Sequence, residues 1–145
     1  MTELERLLIE RECESLSIAY ARHLDYHQYD AFADLFTEAG YLNAGAPLDG
    51  REAIRKIMDR RSDRLRSRHV LTNIHIDVID ADNATGISYL TLFRHIGDES
   101  LASEPVEFAA PAAVGHYTDQ FERTPEGFRF ASRVLEFAFK NSAKF

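Results

Sequence analysis

The hydrophobic period changes once along this chain, near Arg68, and that change divides it into a helical half and a stranded half. Before it, Leu4, Leu7, Leu8, Leu16, Ala19, Tyr20, His23 and Leu24 recur at helical spacing. Thr2 with Glu5 makes a capping box, so one long helix is predicted over Leu4–Tyr26. Phe32, Leu35 and Phe36 form the apolar face of a short second helix over Asp30–Phe36. Tyr41–Ala44 reads as a short strand, and Gly50 opens a third helix with Ile54, Ile57 and Met58 at i, i+3 and i+4. Beyond Arg68, His69–Ile79 alternates, with the β-branched Val70, Thr72, Ile74, Ile76 and Val78 on one face. Asp80–Asn83 is turn chemistry and Ala84–His95 the returning strand. After a loop with Gly97, Pro105 and Pro111, two long strands follow, Ala113–Arg123 and Phe128–Phe139, joined at Thr124–Gly127.

Helices first and a meander of strands last predict an α+β fold: N-terminal helices packed on a curved, mainly antiparallel sheet, forming a cone with an internal pocket. The chain has 145 residues and no internal repeat, so a single domain over 1–145 is expected. Ten Phe and six Tyr exceed what a core of this size needs, which suits a pocket. The formal charge of −7 argues against nucleic acid, and the one basic run, Arg60–Arg68, reads as the solvated end of a helix. No apolar run approaches the roughly 20 residues of a membrane helix, and the charged N-terminus lacks the core of a secretory signal. A soluble, cytoplasmic protein with no membrane partner is expected. Its single cysteine, Cys13, excludes an internal disulfide and reads as an inert mid-helix thiol.

Two titratable residues stand where chemistry could use them. Asp25 lies between Leu24 and Tyr26 at the end of the first helix, and a carboxylate in apolar surroundings can act as a base; the plainer reading is a solvated helix-end aspartate. His69 opens the first long strand, where a neighbouring carboxylate would orient it. Strand parity opposes that role, because His69 shares a face with Leu71, Asn73 and His75, opposite the apolar face, unless a bulge flips the start of the strand. His23 and His27 have metal-ligand spacing, but no third ligand accompanies them, so no metal or cofactor is expected.

The segments Tyr20–Asp25, Tyr29–Phe36, Gly50–Ile54, Arg68–Asn73, Phe93–Arg94, Gly115–Asp119 and Gly127–Arg133, in that order, resemble the SnoaL-like branch of the nuclear transport factor 2 superfamily. That fold hosts many activities, among them scytalone dehydratase, bile-acid 7α-dehydratase, polyketide cyclases, steroid isomerases and the small subunits of ring-hydroxylating dioxygenases. In the dehydratases an Asp on the first helix pairs with a His at the start of the long strand, and Asp25 and His69 match those positions. Tyr20 matches the helix-1 tyrosine of bile-acid dehydratase. The later-strand polar positions fall near Gly115 and Tyr117, and the second histidine of scytalone dehydratase falls near Arg94 or His95. Leu24 stands where scytalone dehydratase has a tyrosine. The resemblance implies a catalytic set of Asp25, His69 and Tyr20. Tyr117, Arg94, Leu24, Tyr41 and Phe36 are the expected substrate contacts. The implied activity is that of a cofactor-free dehydratase, isomerase or cyclase acting on a small apolar cyclic hydroxy-ketone, within a homo-oligomer (dimer or trimer). The competing reading is a non-catalytic small subunit of a ring-hydroxylating dioxygenase, or a small-molecule-binding module.

Overall fold

The computed structural model describes residues 1–107 and 110–145. Helix α1 spans Glu3–Asp25 and starts at a complete capping box: the Glu5 amide donates to the Thr2 hydroxyl at 3.1 Å, and the Thr2 amide donates to the Glu5 carboxylate at 2.7 Å. Its buried stripe is Ile9, Cys13, Leu16, Ser17, Tyr20, Ala21 and Leu24, the i, i+3, i+4 series that one helical face requires. Leu4, Leu7 and Leu8, expected on that face, are exposed, because at about 100° per residue they lie roughly 100–160° around the helix from Ile9, off the buried stripe.

The end of α1 is fixed by hydrogen bonds. The Gln28 amide donates to the His23 carbonyl at 2.8 Å and the His27 amide to the Leu24 carbonyl at 3.3 Å, the double closure of a Schellman motif. His27 takes the left-handed position, φ 55°, that glycine usually fills. Its Nε2 lies 2.8 Å from the Leu65 carbonyl and therefore donates to it, tying the helix end to the third strand. His23 Nδ1 meets the Gln28 side chain at 2.8 Å. These two histidines hold a turn together, which accounts for their spacing.

The second helix is shorter than its pattern suggests: α2 covers Tyr29–Ala33, and strand β1 already runs over Phe36–Asn43. A short strand β2, Pro47–Asp49, pairs antiparallel with β1. Helix α3, Arg51–Met58, follows Gly50, whose φ of 92° suits a residue without a Cβ. Strands β3 (Leu65–Val78), β4 (Asn83–Ile96), β5 (Ala113–Thr124) and β6 (Gly127–Lys140) form the meander. The six strands lie in the order β2-β1-β6-β5-β4-β3, with only β1 and β6 parallel. The expected α+β layout, helices on one face of a curved, mostly antiparallel sheet, is what the chain adopts.

The face that β3 presents is set by a bulge. Thr72 pairs with Tyr89 and His75 with Ile87, so Asn73 and Ile74 together oppose the single residue Ser88. Asn73 has φ 51°, a conformation asparagine tolerates better than β-branched residues do. Before the bulge the odd positions turn inward: Leu65 and Ser67 are buried and His69 is nearly so. After it the even positions do, ending at buried Val78. The β-branched series is therefore not one face: Val70 is 44% exposed and Thr72 is exposed, while Ile76 packs on the core.

Candidate active site

Asp25 is the last helical residue of α1, the end where the helix dipole disfavours a carboxylate. Three donors offset that cost. The Ser67 hydroxyl donates to Oδ1 at 2.8 Å, the His69 backbone N–H to Oδ2 at 2.9 Å, and His69 Nδ1 lies 2.6 Å from Oδ1. Only 7% of the Asp25 side chain and 10% of that of His69 reach solvent. Burial pushes the Asp25 carboxyl up, but the His69 imidazole, the His69 amide and the Ser67 hydroxyl outweigh it and hold the group below its ordinary value. An ionised Asp25 can only accept, so Nδ1 carries a proton, and in the neutral imidazole Nε2 keeps the lone pair.

His69 lines a cavity of about 300 Å3 between the helices and the concave face of the sheet. Leu24 and Tyr20 from α1 reach its wall, as do Leu90, Leu92 and Arg94 from β4, Tyr117 from β5, and Leu135 and Phe137 from β6. The structure thus brings Tyr20, Leu24, His69, Arg94 and Tyr117 to one cavity, with Asp25 directly behind His69. Phe36 and Tyr41, expected as substrate contacts, lie outside its wall. Phe36 is fully buried behind it, against Phe32 and Phe130 at ring-centroid distances of 5.7 and 5.3 Å. On β1 it is Leu42, Tyr41's neighbour, that reaches the cavity, so strand alternation turns Tyr41 to the other side, beside Asn43.

A second buried pair braces the floor. Arg133 on β6 is fully buried and holds Asp119 on β5 through two hydrogen bonds, Nε to Oδ1 at 2.8 Å and Nη2 to Oδ2 at 3.1 Å. Nη2 also meets the Ser17 and Ser88 hydroxyls at 3.2 and 3.4 Å, while Nη1 has no hydrogen-bond partner. The guanidinium carbon sits 4.3 Å from the Tyr20 ring centroid and 3.8 Å from that of Tyr117. Burial leaves Asp119 above its ordinary value, yet Asp119 in turn raises Arg133; a forked contact of this length keeps both ionised at neutral pH. Burial also raises the Tyr20 phenol and raises Tyr117 further, so both keep their protons and can donate a hydrogen bond. Burial, helped by Glu12, pushes the Cys13 thiol up to about 12, well away from reactive thiolate chemistry.

Four contributors escaped the sequence reading. Ser67 lay in the basic run taken as solvated, and Arg61, from the same run, turns inward to line the cavity. Asp119 and Arg133 were visible only as parts of a resemblance. Counting back from the Thr124–Gly127 turn pairs Asp119 with Ser132; a register shift between Gln120 and Phe121 moves it opposite Arg133. Among the described residues, no group of three or more His, Cys, Asp or Glu side chains is placed to hold a metal ion. Nor is any helix among them long and apolar enough to cross a membrane.

With this geometry in hand, the comparisons identify the family. The SnoaL-like domain profile matches residues 5–134, and the chain belongs to that family. Its fold is that of the nuclear transport factor 2-like proteins. A structure from Novosphingobium aromaticivorans assigned as a scytalone dehydratase superposes with a TM-score of 0.82 at 20% identity, covering 99% of this chain and 92% of that one. An NTF2-like protein with a cystatin-like fold from the same organism gives 0.76 at 24%, covering 97% and 89%. A hexachlorocyclohexane dehydrochlorinase, LinA type 2, gives 0.77 at 15%, covering 97% and 92%. No curated protein matches the chain in sequence.

Proposed function

We propose that this protein is a cofactor-free acid–base enzyme, a dehydratase or an isomerase or cyclase, acting on a small cyclic hydroxy-ketone through the Asp25–His69 pair. The observation that carries the reading is the 2.6 Å contact between Asp25 Oδ1 and His69 Nδ1 at the wall of a mostly apolar cavity. Two of the similar structures are named for removing water and hydrogen chloride, eliminations that can begin with loss of a proton.

In this mechanism His69 Nε2 takes a proton from the carbon next to the substrate carbonyl. The electron pair of that C–H bond forms the enolate. Tyr20 or Tyr117 donates a hydrogen bond to the enolate oxygen, and Asp25 stabilises the imidazolium. In a dehydratase the enolate then expels the β-hydroxyl, which takes the proton back from His69 and leaves as water. In an isomerase the proton returns to a different carbon. In a cyclase the enolate carbon attacks an internal carbonyl, and the new alkoxide takes the proton. Each route ends with His69 neutral and Asp25 ionised.

The test is deuterium wash-in. With 3-hydroxycyclohexanone and a panel of larger cyclic hydroxy-ketones in D2O, the protein should exchange the protons next to the carbonyl. His69→Ala should lower the rate by about 10²–10⁴-fold. Exchange at the wild-type rate in both His69→Ala and Asp25→Asn would sink the assignment. On the outer face of the sheet, exposed Val70, Ile87 and Tyr89 support a homo-oligomer, dimer or trimer, and the solution mass reads this directly.

A further inference from the structure

The cavity has a second charged end. Arg61, just past α3, and Arg94, on β4, both line it, and no Asp or Glu does. Neither arginine makes an ion pair among the described residues. Arg61 Nε donates to the Tyr29 hydroxyl at 3.1 Å and its guanidinium lies over the Tyr29 ring at 5.7 Å, but its Nη2 is buried without a partner. The Arg94 guanidinium lies 5.0 Å from the Phe145 ring centroid, and its Nε is likewise buried and unpartnered among the described residues. Burial lowers Arg94, and the nearby charge of Arg61 lowers it further. Two like charges facing one apolar cavity, in a chain whose net charge is −7, are costly unless something negative joins them.

Register places this charged end beside the base. His69 pairs with Leu92 across β3 and β4, so Arg94, two residues on, is its diagonal neighbour on the same face, roughly 7–8 Å away. We propose that Arg61 and Arg94 form an anion subsite, and that the substrate is a cyclic acid whose carboxylate docks between them while its ring fills the apolar part of the cavity. This names the substrate class for the reaction proposed above and rests on that reading for its chemistry, though not for its binding. The carboxylate supplies both missing hydrogen-bond acceptors and offsets one of the two positive charges. It also fixes which end of the ring faces His69.

The experiment is a binding titration that needs no turnover. The probes are 2-naphthoate and its neutral analogue 2-naphthamide, followed by ligand-observed NMR at pH 7.5 in wild type, Arg61→Met, Arg94→Met and His69→Gln. Wild type should prefer the acid by at least about tenfold, since a hydrogen bond to a charged group is worth that much. Each Met variant should lose the preference while keeping the amide affinity. His69→Gln should keep it even if deuterium exchange is abolished. Without ligand, both Met variants should melt a few degrees higher, because each removes an uncompensated, partly buried charge. Equal binding of acid and amide by wild type, no binding of the acid at millimolar concentration, or a preference that survives both Met variants overturns the subsite. A preference lost only in His69→Gln overturns it too, by placing the anion on the imidazole. If the acid preference follows the arginines but no exchange is found, the subsite stands and the acid–base reading falls.

Discussion

Asp25–His69 and Asp119–Arg133 are both buried contacts of an aspartate with a nitrogen base, with shortest distances of 2.6 and 2.8 Å. They differ in what the base can do. Arg133 is fully enclosed and cannot give up its proton, so its pair is a permanent charge couple that clamps β5 to β6 and lies under the Tyr20 and Tyr117 rings. An imidazole, unlike a guanidinium, can both take up and release a proton, and the His69 ring opens onto the cavity. On the proposed function, one pair is a brace and the other a proton handler, although hydrogen-bond length alone would not separate them.

The sharpest way to break the comparison is to remove one partner from each pair. Asp119→Ala strands a fully buried guanidinium and should cost about 3–5 kcal/mol in urea unfolding. His69→Ala leaves Asp25 with the Ser67 hydroxyl and a backbone amide, beside a cavity that admits water. It should cost only about 1–3 kcal/mol while exchange falls by about 10²–10⁴-fold. Equal stability losses would mean that the two pairs are both structural.

Asp25→Asn sharpens the contrast through pH. The folded protein holds the Asp25 carboxyl below its ordinary value, so the group binds protons more readily in the unfolded chain. Its contribution to stability is complete above the unfolded value of about 4 and is lost as pH falls through the lower folded value. The stability gap between wild type and Asp25→Asn should therefore shrink as pH falls below about 4. A gap of constant size down to pH 3 would show that Asp25 is not the titrating group. Activity of Asp25→Asn should fall at least tenfold, since an amide holds the imidazole without stabilising its charged form.

The brace and the proton handler were unequally legible in the sequence. The capping box, the helical spacing of Leu16, Tyr20 and Leu24 and the β5–β6 turn are local patterns, and α1 and the meander follow from them. The end of α2 did not follow, because Phe36 continues a helical apolar spacing yet is claimed by pairing with Phe130 on β6. The facing of His69 depended on one inserted residue: a bulge was the stated condition, and Asn73 supplies it with nothing in the local pattern to announce it. Asp119–Arg133 depended on a second register shift. The inward turn of Arg61 was hidden by its charged neighbours, since local composition favours solvent and only the packed cavity reveals otherwise.

The finest test lies at Ser67, which belongs to only one of the pairs. Its hydroxyl is one of three donors to Asp25 and is 3% exposed, so Ser67→Ala removes a hydrogen bond to a charged group without opening a large void. The His69 amide and ring remain, and the loss should be about 1–2 kcal/mol, well below that of Asp119→Ala. Its direction in pH is what distinguishes it. With one donor gone, burial meets less opposition, the Asp25 carboxyl moves back toward its ordinary value, and the acid limb of the stability curve becomes shallower, because less stability is left to lose on protonation. Urea unfolding at pH 7 and pH 3 should therefore show a smaller loss at the lower pH, and exchange activity should drop by only about threefold to tenfold. An equal loss at both pH values would mean that Ser67 packs beside Asp25 without tuning it, and that His69 alone holds the carboxylate ionised.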